Sequence, residues 1–137
     1  MPQKTIAKTA DAQGSPLAVA IEVSGHHLFG DEPLSRGGAN LGPTPFDLLT
    51  AALAACTAMT VRWYALQKGW PLEHVGVEVE HGKAMQAGSG EVIEKFSKIV
   101  SITGPDLTPE QVGKLREVAG KCPVHTALTG TIRIETL

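Results

Sequence analysis

The residues with most chemistry to offer in this sequence are its two cysteines, Cys56 and Cys122, which lie far apart along the chain. Cys56 sits inside the run Leu48 to Val61, and on a helix it shares a face with Leu49, Leu53 and Thr60, seven, three and four residues away. Free cysteine is among the most buried residue types, so by itself Cys56 also fits a packed structural thiol. Cys122 precedes Pro123 at an expected helix start, where unpaired backbone N–H groups and the helix dipole favour a thiolate; a packed small residue is the plain alternative. The Cys-x-x-His spacing of Cys122 and His125 also fits two zinc ligands with Cys56 as a third, although the second ligand pair of a structural zinc site is missing. His125 is equally placed to support Cys122.

A reactive Cys56 in an apolar helix needs a nearby cation, because burial raises a thiol's pKa and the thiolate is the nucleophile. Arg62, six residues on, points away from the cysteine face. Arg36 is the candidate: its tether to Thr44 can span up to ~26 Å, and Cys56 lies ~18 Å up the helix.

The elements that must position these groups are legible in the chain. The first third alternates apolar and polar residues at Thr5-Ile6-Ala7 and from Leu17 to Val23, which predicts a hairpin or short meander. From Gly30 to Pro43 the chain is too rich in turn residues for a regular element, and loops of that length often carry function. Thr44 as N-cap, Pro45 at the first helical position and Asp47 at the capping-box position predict a helix that ends near Lys68 and Gly69. Its middle turns are apolar all round, so one sheet face does not cover it, and a second copy of the chain is the expected cover. Strands are predicted at His74–His81 and Phe96–Ile102, joined by a mobile glycine-rich link from Gly82 to Gly90. A second helix starts at Thr108 with Pro109 and Gln111 and ends around Gly120. Cys122-Pro123 then opens a short helical turn through Leu128, and Thr131–Glu135 alternates as a closing edge strand.

The bulk properties narrow the function. At 137 residues the chain is expected to form one domain, 1–137. Twelve Lys and Arg against fourteen Asp and Glu leave no basic block for a run of phosphates, so nucleic acid is not an expected partner. The uncharged stretch from Leu48 stops at Arg62, short of the roughly 18–20 apolar residues of a bilayer span, and the polar Met1-Pro2-Gln3-Lys4 segment lacks a signal-peptide h-region. The expectation is a cytoplasmic protein, where a disulfide is more often transient and catalytic than structural.

Gly42-Pro43-Thr44-Pro45-Phe46-Asp47-Leu48-Leu49, Ala54-Ala55-Cys56-Thr57-Ala58-Met59-Thr60 and Lys121-Cys122-Pro123-Val124-His125, in that order, resemble the OsmC/Ohr family, as does the Lys68-Gly69-Trp70-Pro71-Leu72 turn. The resemblance runs from about Asp31 to the C-terminus. It implies an α+β, OsmC-like fold with antiparallel sheets packed on a long central helix in an intertwined homodimer. It further implies a thiol peroxidase for organic hydroperoxides, with Cys56 peroxidatic and Cys122 resolving, although the N-cap argument alone makes Cys122 the more acidic thiol. Hydroperoxide reductases of the family carry glutamate directly after the proline of the helix motif; this chain has Phe46 there and Asp47 one position later, so the carboxylate role passes to Asp47, and the helper-cation role to Arg36. In this reading the Cys56 sulfenate condenses with Cys122, and Phe46, Leu49, Leu53, Met59 and His125 line the substrate site. No cofactor is expected beyond an external dithiol reductant, such as a lipoylated protein or a small thiol. The alternative is a non-catalytic protein of the same fold that senses oxidation or binds a hydrophobic ligand.

Overall fold

The computed structural model describes residues 4–137. They form two compact units, one ending at Leu49 and one beginning at Thr50. In the first, β1 (Ala7–Asp11), β2 (Val19–Val23) and β3 (His26–Gly30) make an antiparallel meander in the order β1-β2-β3. The meander expected from alternation is present, but β1 begins where the first alternating run ends. β3 lies outside both runs. Its signal is the dipeptide Ser24-Gly25, whose φ angles of 50° and 82° give the two-residue turn that matches strand twist and pairs Val23 with His26.

The turn-rich segment after β3 is ordered around one carboxylate. Asp31 is buried and accepts hydrogen bonds from Ser15 Oγ and from the backbone N–H groups of Glu32, Ala39 and Leu41. Burial alone would raise its pKa; the four donors outweigh it and hold the carboxyl below its ordinary value. A 3-10 turn at Leu34–Arg36 ends on Gly37, at φ 91°. Gly38 is fixed by close approach: a Cβ there would stand 2.0 Å from the Glu32 carbonyl oxygen.

Helix α1 (Pro45–Lys68) starts and stops where its caps predict. Thr44 Oγ1 accepts from the Asp47 N–H, and the Asp47 carboxylate accepts from the Thr44 N–H, a reciprocal capping box. At the other end Gly69, at φ 68°, lets its N–H reach the Leu66 carbonyl and the Trp70 N–H reach that of Ala65.

In the second unit β4 (His74–Met85) and β5 (Val92–Thr103) form a two-stranded antiparallel sheet, in register from His74 opposite Thr103 to Met85 opposite Val92. The link expected from Gly82 to Gly90 is shorter: Gly82 pairs with Lys95, and the strands continue to Met85. A ladder is made by backbone groups, which glycine keeps, so composition overstated the break. Helix α2 (Pro109–Ala119) carries the expected Thr108–Gln111 capping box, and Cys122 caps α3 (Pro123–Thr129). The expected closing strand at Thr131–Glu135 is not formed; Ile132 and Ile134 are exposed. Alternation encodes a face but not a partner, and among the described residues no strand edge pairs with this segment.

The core of this unit is Val61 and Ala65 of α1, Leu72, and Leu115 and Ala119 of α2, with Tyr64, Trp70, Val75, Val100, Ile102 and Leu107 packed against it. Among the described residues, α1 is the one helix long and apolar enough to cross a membrane, by length and composition. Of its buried residues Leu53, Thr57, Val61 and Ala65, the last two belong to this core, and Arg62 donates to the carbonyls of Leu72 and Glu73 after the helix. Arg62 thus points away from the cysteine, as helical rotation requires.

Candidate redox site

Cys56 and Cys122 meet. Cys56 comes from the middle of α1 and Cys122 from the N-cap of α3, and both sulfurs stand at the first turn of α3, with Cys56 among the groups that lower the Cys122 pKa. Both are free thiols; Cys56 is half-buried and Cys122 is 0% exposed. The first turn of α3 serves both: the Val124 N–H donates to Cys56 Sγ at 3.5 Å, and the His125 N–H to Cys122 Sγ at 3.4 Å. Proline at the first helical position has no N–H to offer, so the next two amides are the free donors.

Thr57, wholly buried beside Cys56 on α1, is the hub. Its Oγ1 lies 3.4 Å from Cys122 Sγ and 2.8 Å from the Leu53 carbonyl oxygen, and it accepts a hydrogen bond of 3.1 Å from Lys98 Nζ. Lys98 also donates to the Ala119 carbonyl, at 2.8 Å, in the last turn of α2. Burial pushes the Cys122 thiol up, but hydrogen bonds from Thr57, the His125 N–H and Cys56, together with the Lys98 charge, outweigh it and hold the pKa below the usual thiol value. Burial, and then Lys98, push His125 below the usual imidazole value, so it is neutral near pH 7; its Nδ1 is buried without a partner among the described residues.

Lys98 is the charged neighbour of the cysteines that sequence reasoning missed. The signal for it was phase. Val75, Val77 and Val79 on β4 stand opposite Ile102, Val100 and Lys98 on β5, so a lysine occupies a place in the apolar, inward-facing set. A lysine is rarely placed there without a partner to satisfy its charge.

The other expected site residues are placed as follows. Leu53 is buried and gives its carbonyl to Thr57, His125 lies beside the cysteines, and Met59 is 70% exposed on α1. Arg36, Phe46, Asp47 and Leu49 belong to the first unit, where Arg36 ends the 3-10 turn, Phe46 is exposed and Asp47 caps α1. Among the described residues no group of three or more His, Cys, Asp or Glu is placed to hold a metal ion, so the zinc arrangement has no site. A buried cysteine whose ionisation its neighbours favour, beside a half-open cysteine, can form and break a disulfide.

Comparison with known proteins gives the same family as the motifs. The family model for OsmC-like protein matches residues 37–137. An organic hydroperoxide resistance protein from Legionella pneumophila is 24% identical, with 93% of this chain and 90% of that one covered at a TM-score of 0.69. An OsmC-like protein from Mycoplasma pneumoniae is 18% identical over 95% and 90%, with a TM-score of 0.74. The organic hydroperoxide resistance protein OhrB of Bacillus subtilis is 18% identical over 93% and 92%, with a TM-score of 0.63. These likenesses establish the fold, α+β with antiparallel sheets and a long helix. No individually curated protein matches the chain.

Proposed function

The chain belongs to the family of OsmC-like proteins, and on that premise we propose that it is a thiol-dependent peroxidase that reduces organic hydroperoxides through Cys56 and Cys122. The observation that carries this reading is the convergence of the two cysteines on the first turn of α3: residues remote in sequence meet there, one half-open and one closed, among donors suited to a thiolate. The difference in exposure supports the order of events. Peroxide reaches Cys56, whose sulfur takes the hydroxyl oxygen as alcohol leaves; Cys122, already in contact, displaces that oxygen to give the disulfide. An external dithiol then restores both thiols. Apolar lining by Leu53 and Met59 in this unit favours a bulky organic group over hydrogen peroxide. The helper roles of Arg36 and Asp47, and the lining by Phe46 and Leu49, rest on the family motif alone.

The test is stoichiometry. With a dithiol donor, the protein should consume cumene hydroperoxide in large molar excess over itself, and faster than hydrogen peroxide. Oxidation that halts near one equivalent per chain would replace the enzyme with an oxidation sensor of the same fold.

The expected homodimer is part of the proposal. Ala52, Ala55, Met59, Trp63 and Leu66 form one exposed apolar stripe along α1. A second copy presenting the same stripe would bury it symmetrically. In sedimentation the wild type should run as a dimer and the Met59→Glu/Trp63→Glu variant as a monomer. An unaltered mass in that variant, or a monomeric wild type, removes this face as the interface.

A further inference from the structure

We infer that Lys98 is a positioning residue: its side chain ties the stretch of α1 that carries Cys56 to the end of α2 that leads into Cys122, and so sets the separation at which the two sulfurs can join. The inference rests on the part of the reading above in which the cysteines form a disulfide, and not on peroxide as the oxidant.

The tie has two ends. One is Thr57, the residue after Cys56 on α1, whose Oγ1 accepts from Lys98 Nζ at 3.1 Å. That hydroxyl gives its single hydrogen to the Leu53 carbonyl at 2.8 Å, which fixes its rotor and leaves its lone pairs to accept. Thr57 is wholly buried, so solvent does not compete for this oxygen.

The other end is the carbonyl of Ala119, the last residue of α2, at 2.8 Å from Nζ. The final carbonyls of a helix have no partner within it. In α2 those of Glu117 and Val118 take the N–H groups of Gly120 and Lys121, and that of Ala119 takes Lys98. A cation is also the charge that the helix dipole favours at this end. Gly120 and Lys121 are all that separates Ala119 from Cys122, so the lysine pins the chain three residues before the sulfur.

The lysine is itself held in place. Register sets it opposite Val79 on the inward face of β5, in line with the Val77–Val100 and Val75–Ile102 pairs. Two residues along the same strand, the Val100 carbonyl accepts from Arg116 of α2 at 2.9 Å, so β5 and α2 are joined at two points. Among the described residues Lys98 makes no ion pair; its hydrogen bonds go to the two segments that bear the cysteines.

Such a tie has work to do because α3 lacks an anchor of its own. The first turn of this helix is where the cysteines converge, through the Val124 and His125 N–H groups, yet α3 has seven residues and none of them is buried. A disulfide closes only within a narrow window, with Cα atoms about 4.4–6.8 Å apart. How often two thiols occupy that window is their effective concentration, and a fixed frame raises it.

The experiment is the redox equilibrium of the folded protein with glutathione at pH 7. The two cysteines give up two electrons and two protons as their S–S bond forms; glutathione disulfide takes them as its own S–S bond breaks, and becomes two thiols. The constant for this exchange reports the effective concentration of one cysteine at the other. Lys98→Met keeps the length of the side chain and removes both hydrogen bonds, and it should lower the constant by about tenfold, or ~30 mV for this two-electron couple. Lys98→Arg should restore most of it. The sign of the change separates positioning from charge: a cation that acted only by stabilising a thiolate would, on removal, weaken the reduced form and raise the constant. A constant that rises, or stays unchanged, in a folded Lys98→Met protein overturns the inference. So does a wild type whose cysteines do not pair in glutathione. If Lys98→Met does not fold, Thr57→Val, which removes the other end of the tie at equal volume, is read by the same signs. A lowered constant in a protein that shows no peroxide turnover upholds the inference and removes the peroxidase reading.

Discussion

Replacing Cys56 by serine should lower the rate of cumene hydroperoxide reduction by about a thousandfold or more, because a hydroxyl does not ionise near neutral pH and cannot form the sulfenic acid on which turnover depends. The substitution changes one atom in a half-buried position on α1, so the fold should survive and the loss should fall on the chemical step. Cys122→Ser separates the two roles. That variant should still consume one equivalent of peroxide, leaving a Cys56 sulfenic acid that a carbon nucleophile traps and mass spectrometry reads. It should then stall or turn over slowly, since no second sulfur is in contact to close the disulfide. Retention of near-wild-type turnover by Cys56→Ser would sink the assignment. A sulfenic acid on Cys122 rather than Cys56 would reverse the roles.

Leu115→Ala should cost roughly 2–5 kcal/mol of folding stability, seen as a lower midpoint in chemical denaturation. Leu115 is 0% exposed and belongs to the cluster of Val61 and Ala65 on α1, Leu72, and Ala119 on α2. Truncation removes the transfer energy of the lost carbons and leaves a cavity that packed neighbours fill only in part. The site should feel this loss. The carbonyl of Ala119, one turn on, fixes Lys98, and Lys98 meets Thr57, so a loosened α2 reaches the cysteines through that chain of contacts. A stability loss below about 1 kcal/mol would mean that the cluster is not the organising core of this unit.

The fold and the site were legible in the sequence to different depths, and for different reasons. The limits of α1 and α2 were fixed by local rules: a Thr N-cap, proline at the first helical position, an acid or amide three residues on, and glycine past the end. Such signals lie within a few residues of the element they bound, so a linear reading recovers them. The hairpin of β4 and β5 was read but cut short at Gly82, since residue type reports side-chain preference while the ladder is made by backbone. Thr131–Glu135 failed in the opposite direction: its alternation is real, but pairing belongs to the partner edge.

The cysteines were identified as the chemical groups from type, context and motif, and the need for a cation beside them followed from the cost of ionising a buried thiol. Arg36 was chosen by reach along the chain. Lys98 was not read at all, because it arrives from a strand distant in sequence, brought by the register of β5 against β4 and fixed by α1 and α2. By itself, then, the sequence determined the helices, the strand pattern and the identity of the reactive sulfurs, because each is encoded within a few residues. Only the tertiary structure decided that the two cysteines meet at the first turn of α3, and that a buried threonine and a lysine in an apolar phase stand beside Cys122. Electrostatic interaction depends on distance through space, and chain order does not reveal that distance.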